Sequence, residues 1–254
     1  EQLPEGLDAH AQRLQGWWRR HNGVQKALRD CADKAALACS ALNEASEYEL
    51  SQALDEARMR LALDPLDAKG HLAQALGVVG QVARRVLGMS PYPVQYMGAL
   101  ALHQGLLAEM ATGEGKTLTV GLAAVLAGLT GRPCHVLTVN DYLAERDANA
   151  MMTLYQHCGL TVESITSEVA PVQRVMRYGA DVVYLTAKEL LADHLRDQLA
   201  EHAGQGGQKL AFQQWLTSSP EGSEHQAGVR LLWRGLHTAI VDEADSILVL
   251  ENGT

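Results

Sequence analysis

An open, parallel α/β sheet with helices on both faces, preceded by an all-helical lead-in, is the fold class that this 254-residue sequence predicts. Three observations point to it. Strand-like and helix-like runs alternate from Gly105 onward, the pattern of successive βαβ units with a covered parallel sheet. A glycine-rich loop, Gly113-Glu114-Gly115-Lys116-Thr117, separates an apolar run from a helix-forming one. A second apolar run, Leu236–Val241, ends in Asp242-Glu243-Ala244-Asp245, which places carboxylates at the edge where open sheets bind ligands.

The elements follow in order. Residues 1–88 carry apolar side chains at helical spacing and almost no strand signal. The clearest helices are Lys26–Leu42 and Tyr48–Leu63, the second stopped by Pro65, and Gly70–Leu87 continues to Gly88. In the first of these, Leu28, Cys31, Ala35, Cys39 and Leu42 share a face whose expected use is core packing. Ser90-Pro91-Tyr92-Pro93 is too proline-rich for either regular element and reads as a connecting loop. The predicted division is therefore a helical segment, 1–88, packing on a second domain, 89–254. In that domain a strand at Gly105–Met110 precedes a helix at Lys116–Leu129. Strands at Cys134–Val139, Val162–Thr166 and Asp181–Leu185 alternate with helices at Asp141–Cys158, Pro171–Tyr178 and Ala187–Ala203, Asn140 being a suitable cap for the first of these. Residues 204–228 shift to Gly, Gln, Ser and Glu, interrupted by Leu210–Leu216, and read as a surface insertion. After Asp245 too little chain remains to complete such a sheet, so the sequence reads as cut short.

Composition narrows the class. With 47% apolar and 20% charged residues the chain can bury a core. A net charge of −9 argues against a dedicated duplex-binding surface. The four cysteines lack C-x-x-C spacing and the ten histidines are scattered, which disfavours zinc and disulfides and fits a reducing compartment. No apolar run is long enough to cross a bilayer. Trp17-Trp18-Arg19-Arg20 has the composition of an interfacial anchor, although helix packing is its commoner use.

The loop carries the chemistry. Small residues before Lys116 let successive backbone N–H groups converge on a polyphosphate, and the following helix turns its positive end toward the same anion. Lys116 would supply a mobile charge, Thr117 a hydroxyl for Mg²⁺, and Glu114 its backbone N–H. Met110 stands where the usual spacing has its first glycine. At the acidic strand end, Asp242 would hold the Mg²⁺, and Glu243 would orient and polarise the attacking water.

Three blocks carry a specific resemblance. Ala108–Leu118, with Met at the head of the phosphate loop, resembles the first nucleotide-binding domain of SecA, the protein-translocase motor ATPase family. Thr138–Ala148 (TVNDYLAERDA) is similar to that family's second signature and differs from the P-T-R-E-L type of DEAD-box RNA helicases. Val241–Leu248 is similar to its acidic motif. The likeness implies a RecA-like P-loop NTPase domain that takes ATP and Mg²⁺, with Gln95 reading the adenine edge and Tyr92 packing on the ring. Gly113, Glu114, Gly115, Lys116 and Thr117 would wrap the phosphates, with Glu243 and Lys116 catalytic. It further implies a cytoplasmic protein, peripheral to the inner face of the cell membrane. Unfolded preprotein, a SecYEG-type translocon and an anionic membrane surface would be its partners, and a second nucleotide-binding lobe would complete its activity. The alternatives are a DEAD-box-type nucleic-acid helicase lobe and a non-catalytic SecA-derived binding module. Three departures mark a divergent or accessory member, one of them the Gly204–Gly228 excursion, which is longer than the corresponding loop of the family. Tyr184 is followed by Leu185-Thr186-Ala187-Lys188 rather than Gly-Thr-Asn-Asn, and Leu248 by Val249-Leu250-Glu251. Asp193, Leu195, Arg196 and Asp197 keep the pattern.

Overall fold

The computed structural model describes residues 23–63, 70–203, 231–232 and 234–248. Trp17–Arg20, Pro65 and the 204–228 insertion lie outside the described residues. The chain forms two compact units, Glu1–Ala123 and Ala124–Thr254.

The first unit is helical over its described residues. Helix α1 (Val24–Ala41) buries Leu28, Ala32, Ala35 and Cys39, much the face expected from the sequence, although Cys31 is only half-buried. It packs on α3 (Leu72–Leu87) and α4 (Pro93–His103). Helix α2 (Glu47–Leu63) packs on α3 and opens with a capping box. The Ser46 N–H donates to Glu49 Oε2 (2.7 Å), and the Glu49 N–H donates to Ser46 Oγ (3.3 Å). Helix α1 crosses α3 very closely: a Cβ on Gly77 would lie 2.6 Å from Ala38 Cβ and 2.7 Å from Ala35 O.

The proline-rich stretch is irregular through Tyr92, as expected, and Pro93 then opens α4, a helix that the sequence reading did not name. The missing N–H of Pro93 would be unpaired there anyway, and its fixed φ suits a first turn. One expectation needs correction in this unit: Gly105–Met110 is not a strand. Residues 106–110 carry no strand pairing; Leu107 is 85% exposed, and the Leu106 N–H turns back to Ala101 O (2.9 Å). An apolar run becomes a strand only where a neighbour supplies its hydrogen bonds. Helix α5 (Lys116–Leu129) has the bounds read from the sequence, and the first compact unit ends within it.

The second unit holds a parallel sheet of β1 (Cys134–Thr138), β2 (Val162–Ile165), β3 (Val182–Thr186) and β4 (Thr238–Val241), in the order β2-β3-β1-β4. In register, Leu137 pairs with Leu185 on one side and Val241 on the other. The inner strands β1 and β3 are buried at every position, as parallel strands under helices are. Helices α6 (Asp141–His157), α7 (Pro171–Arg177) and α8 (Ala187–Ala203) flank the sheet. Asn140 caps α6 by accepting the Leu143 N–H (2.9 Å). After β4 the five-residue helix α9 (Ala244–Leu248) begins.

A buried ionic knot ties α7 to α8. Arg174, 3% exposed, donates to Asp193 Oδ2 (2.8 Å), Val169 O and Thr166 O (both 2.9 Å), and pairs with Glu189 (2.7 Å). Tyr178 and Arg196 also donate to the fully buried Asp193. Burial works against the Arg174 charge, but Asp193 and Glu189 outweigh it and hold its pKa above the ordinary arginine value. Asp197 then receives the Leu231 and Leu232 N–H groups (2.8 and 2.9 Å), pinning the chain before β4.

Candidate functional site

In the first unit the structure gathers Tyr92, Gln95, Gly113, Glu114, Gly115, Lys116 and Thr117. The loop turns through Gly113 (φ 89°) and Gly115 (φ 81°) and runs into α5, whose first residues are Lys116 and Thr117. Both left-handed positions need glycine, since a Cβ would strain the backbone. Gly115 also needs it for space: a Cβ there would lie 2.2 Å from Gln95 Nε2. Residues 111–114 are exposed, and Gly115, Lys116 and Thr117 are half-buried at the start of α5. Four backbone N–H groups at a helix start lack intrahelical partners, and this end carries positive potential.

The loop is braced from two sides. The Gln95 amide donates to Glu114 O (2.9 Å) while accepting the Tyr92 N–H (2.9 Å), so both of its ends bind the chain itself. Glu114 closes its own turn: its carboxylate accepts the Ala111 N–H (2.8 Å), and its N–H donates to Ala111 O (3.3 Å). Tyr92 caps α4 with its backbone and leaves its ring 70% exposed. Met110, where a glycine is usual, sits against α4; a Cβ on Gly98 would lie 3.5 Å from its sulfur.

In the second unit, β4 ends at Asp242 and Glu243. The Asp242 N–H donates to Leu137 O (2.9 Å), continuing the ladder to the strand tip, and Asp242 Oδ1 accepts the Glu243 N–H (3.0 Å). Glu243 is exposed and adopts φ 54°, the one non-glycine residue with positive φ among the described residues. Asp242 is half-buried, and its charge acts on Arg146. Arg146 bonds chiefly to Asp147 (2.9 Å), and that bond raises its pKa.

The sequence reading missed two features of this unit. A cleft of about 690 Å³ lies at the carboxyl ends of β1 and β3, lined among others by Asn140, Asp141, Tyr142, Ser167, Lys188 and Glu189. Asp141 shapes it by accepting the Ser167 N–H and hydroxyl (2.8 and 2.7 Å). Position at the carboxyl edge of the sheet was the available signal. The other is the cap of α8, whose bounds were read correctly: Thr186-Ala187-Lys188-Glu189 has capping-box spacing, and Thr186 Oγ1 accepts the Glu189 N–H (3.2 Å).

The profile of the SecA DEAD-like domain matches residues 14–254. The chain belongs to the SecA DEAD-like domain family. It is 48% identical to the protein translocase subunit SecA 2 of Magnetococcus marinus over 98% of this chain and 38% of that protein. Against SecA 2 of Chlorobium chlorochromatii the identity is 41% over the whole chain and 38% of the relative. Against the protein translocase subunit SecA of Neorickettsia sennetsu it is 36% over 92% of the chain and 26% of the relative. The chain thus spans less than two fifths of the curated relatives it matches. No helix among the described residues is long and apolar enough to cross a membrane.

Proposed function

We propose that this chain is the first nucleotide-binding lobe of a SecA-type motor, which couples ATP hydrolysis to movement of a polypeptide across a membrane through a translocon. The phosphate loop carries this reading: two left-handed glycines deliver Lys116 and Thr117 to the start of α5. The donor set fits a polyphosphate, being an ammonium, a hydroxyl and the unpaired N–H groups of a helix start. It also fits Mg²⁺, which needs few protein ligands when phosphates supply the rest. Among the described residues no three His, Cys, Asp or Glu gather as a metal cage, and in the first unit Thr117 would hold the ion.

Each side chain then has a task. Lys116 neutralises charge on the outer phosphates. While its amide stays on Glu114 O and the Tyr92 N–H, Gln95 would meet the adenine edge with its second amide hydrogen and second lone pair, and Tyr92 would offer a ring face to the base. Bound Mg²⁺ would supply charge neutralisation at the phosphate oxygens. Glu243, exposed at the tip of β4, orients the attacking water and accepts its proton. A second lobe would add transition-state arginine, so the lobe alone hydrolyses slowly. Preprotein, a SecYEG-type translocon and the anionic inner face of the cell membrane are the partners of the whole motor, which works from the cytoplasm.

Calorimetric titration of the chain with MgADP, and of its Lys116→Ala variant, tests the site. Loss of one charge-assisted contact lowers affinity by about ten- to a hundred-fold. Equal affinities, or no heat from the parent chain, would overturn the proposal. RNA rather than unfolded preprotein stimulating the full motor's ATPase would overturn its transport role.

A further inference from the structure

Helix α4 joins the helical lead-in to the phosphate loop with no slack on either side. On the lead-in side, Tyr96 is fully buried and its hydroxyl presses on Gly80 of α3; a Cβ at Gly80 would lie 1.9 Å from that oxygen. The hydroxyl has no hydrogen-bond partner. Cys39 of α1 adjoins it but donates to Gln81 instead (3.6 Å), and burial drives the Tyr96 pKa far above the ordinary tyrosine value. An unsatisfied buried hydroxyl costs stability, so at this position packing outweighs hydrogen bonding. On the other side, a Cβ at Gly98 would lie 2.8 Å from Thr119 Cγ2 of α5. Thr119 Oγ1 in turn donates to Gly115 O (3.2 Å). Between these contacts stands Gln95, next in sequence to Tyr96, with its amide on Glu114 O.

We infer that Tyr96 and Gly80 are positioning residues for nucleotide binding: their close fit sets the seat of α4, and α4 holds the phosphate loop through Gln95 and Thr119. The lead-in helices thereby act on the loop without touching the nucleotide. Close-packed interiors transmit such displacements, because contacts this tight leave no room to absorb them. This rests on the reading of the first unit as a nucleotide-binding lobe.

The test is binding of MgADP and of inorganic tripolyphosphate to the full chain by calorimetry, well below its unfolding temperature. Gly80→Ala should weaken both probes by about ten-fold, the effect of displacing roughly one braced contact. Tyr96→Phe in the Gly80→Ala background removes the atom that clashes first and should return part of the loss. With ATP, KM rises while kcat of the full chain stays level. Unchanged binding by folded Gly80→Ala would overturn the inference, as would a loss confined to MgADP or a double variant no better than Gly80→Ala. If Gly80→Ala does not fold, the double variant decides: it should fold and bind more weakly than the Tyr96→Phe chain, and equal binding would overturn the inference. Parent chain that binds neither probe would overturn the nucleotide reading itself.

Discussion

At Gly113 and Gly115 the backbone turns left-handed with no side chain to strain it, whereas after β4 the same region of conformational space is occupied by Glu243. In the loop, glycine serves twice: it permits the turn, and at Gly115 it leaves room for the Gln95 amide. At Glu243 the chain keeps a carboxylate despite a backbone cost of order 1 kcal/mol or more. Strain retained in this way points to the side chain as the useful group, while in the loop the useful groups are on the main chain.

The supports differ as well. The loop rests on hydrogen bonds of the Gln95 amide, the Thr119 hydroxyl and the Glu114 carboxylate, whereas in the second unit the charged knot of Arg174, Asp193 and Glu189 ties α7 to α8. The largest expected effect therefore comes from breaking the knot. Arg174→Leu leaves Asp193, fully buried, without its main counter-charge, and should cost about 3–5 kcal/mol. Urea unfolding of the variant checks this. A cost below about 1 kcal/mol, the scale of an exposed pair, would mean that Tyr178 and Arg196 satisfy Asp193 unaided.

Exchanging the two turn strategies sharpens the comparison at smaller cost. Gly115→Ala combines positive φ with a clash against Gln95 and should lose about 1–3 kcal/mol. Glu243→Gly relieves strain and should gain up to about 1 kcal/mol, while abolishing the hydrolysis assigned to the carboxylate. Thermal unfolding of both variants, with Glu243→Ala as control, separates strain from charge. If Glu243→Ala stabilises as much as Glu243→Gly, backbone strain is not what distinguishes this turn.

How much was legible from the sequence follows from how local each feature is. The glycine turn before α5, the Asn140 cap and the strands β1 to β4 are written in adjacent residues, and the structure places each within a few positions. Residues 105–110 fail as a strand because apolar character says nothing about a pairing partner. Helix α4 hid behind Pro91 and Pro93, since a proline that breaks a helix also begins one well. The Arg174 knot was beyond reach: the resemblance marks Asp193, but nothing in the sequence pairs it with Arg174, Tyr178 or Glu189 until the fold buries them together. For the same reason the sequence could name Gln95 but could not show that its amide already holds the loop.

The smallest effect expected is a pH dependence confined to the second unit. His135 on β1 is 2% exposed, with its ring 6.0 Å from that of Tyr178. Burial disfavours its charged form and lowers its pKa, with Arg234 adding to this and a hydrogen bond with the Thr238 backbone opposing it. The unfolded chain therefore takes up a proton more readily than the folded one. The stability due to the neutral ring is fully present above the unfolded histidine value, about 6.5, and declines as pH falls from there through the lower folded value. Urea unfolding at pH 7.5 and 5.5 should show a decline that His135→Gln reduces. The loop of the first unit contains no histidine, so tripolyphosphate affinity of the folded His135→Gln chain should match that of the parent at both pH values. A parent chain as stable at the lower pH as at the higher would remove His135 as the sensitive group.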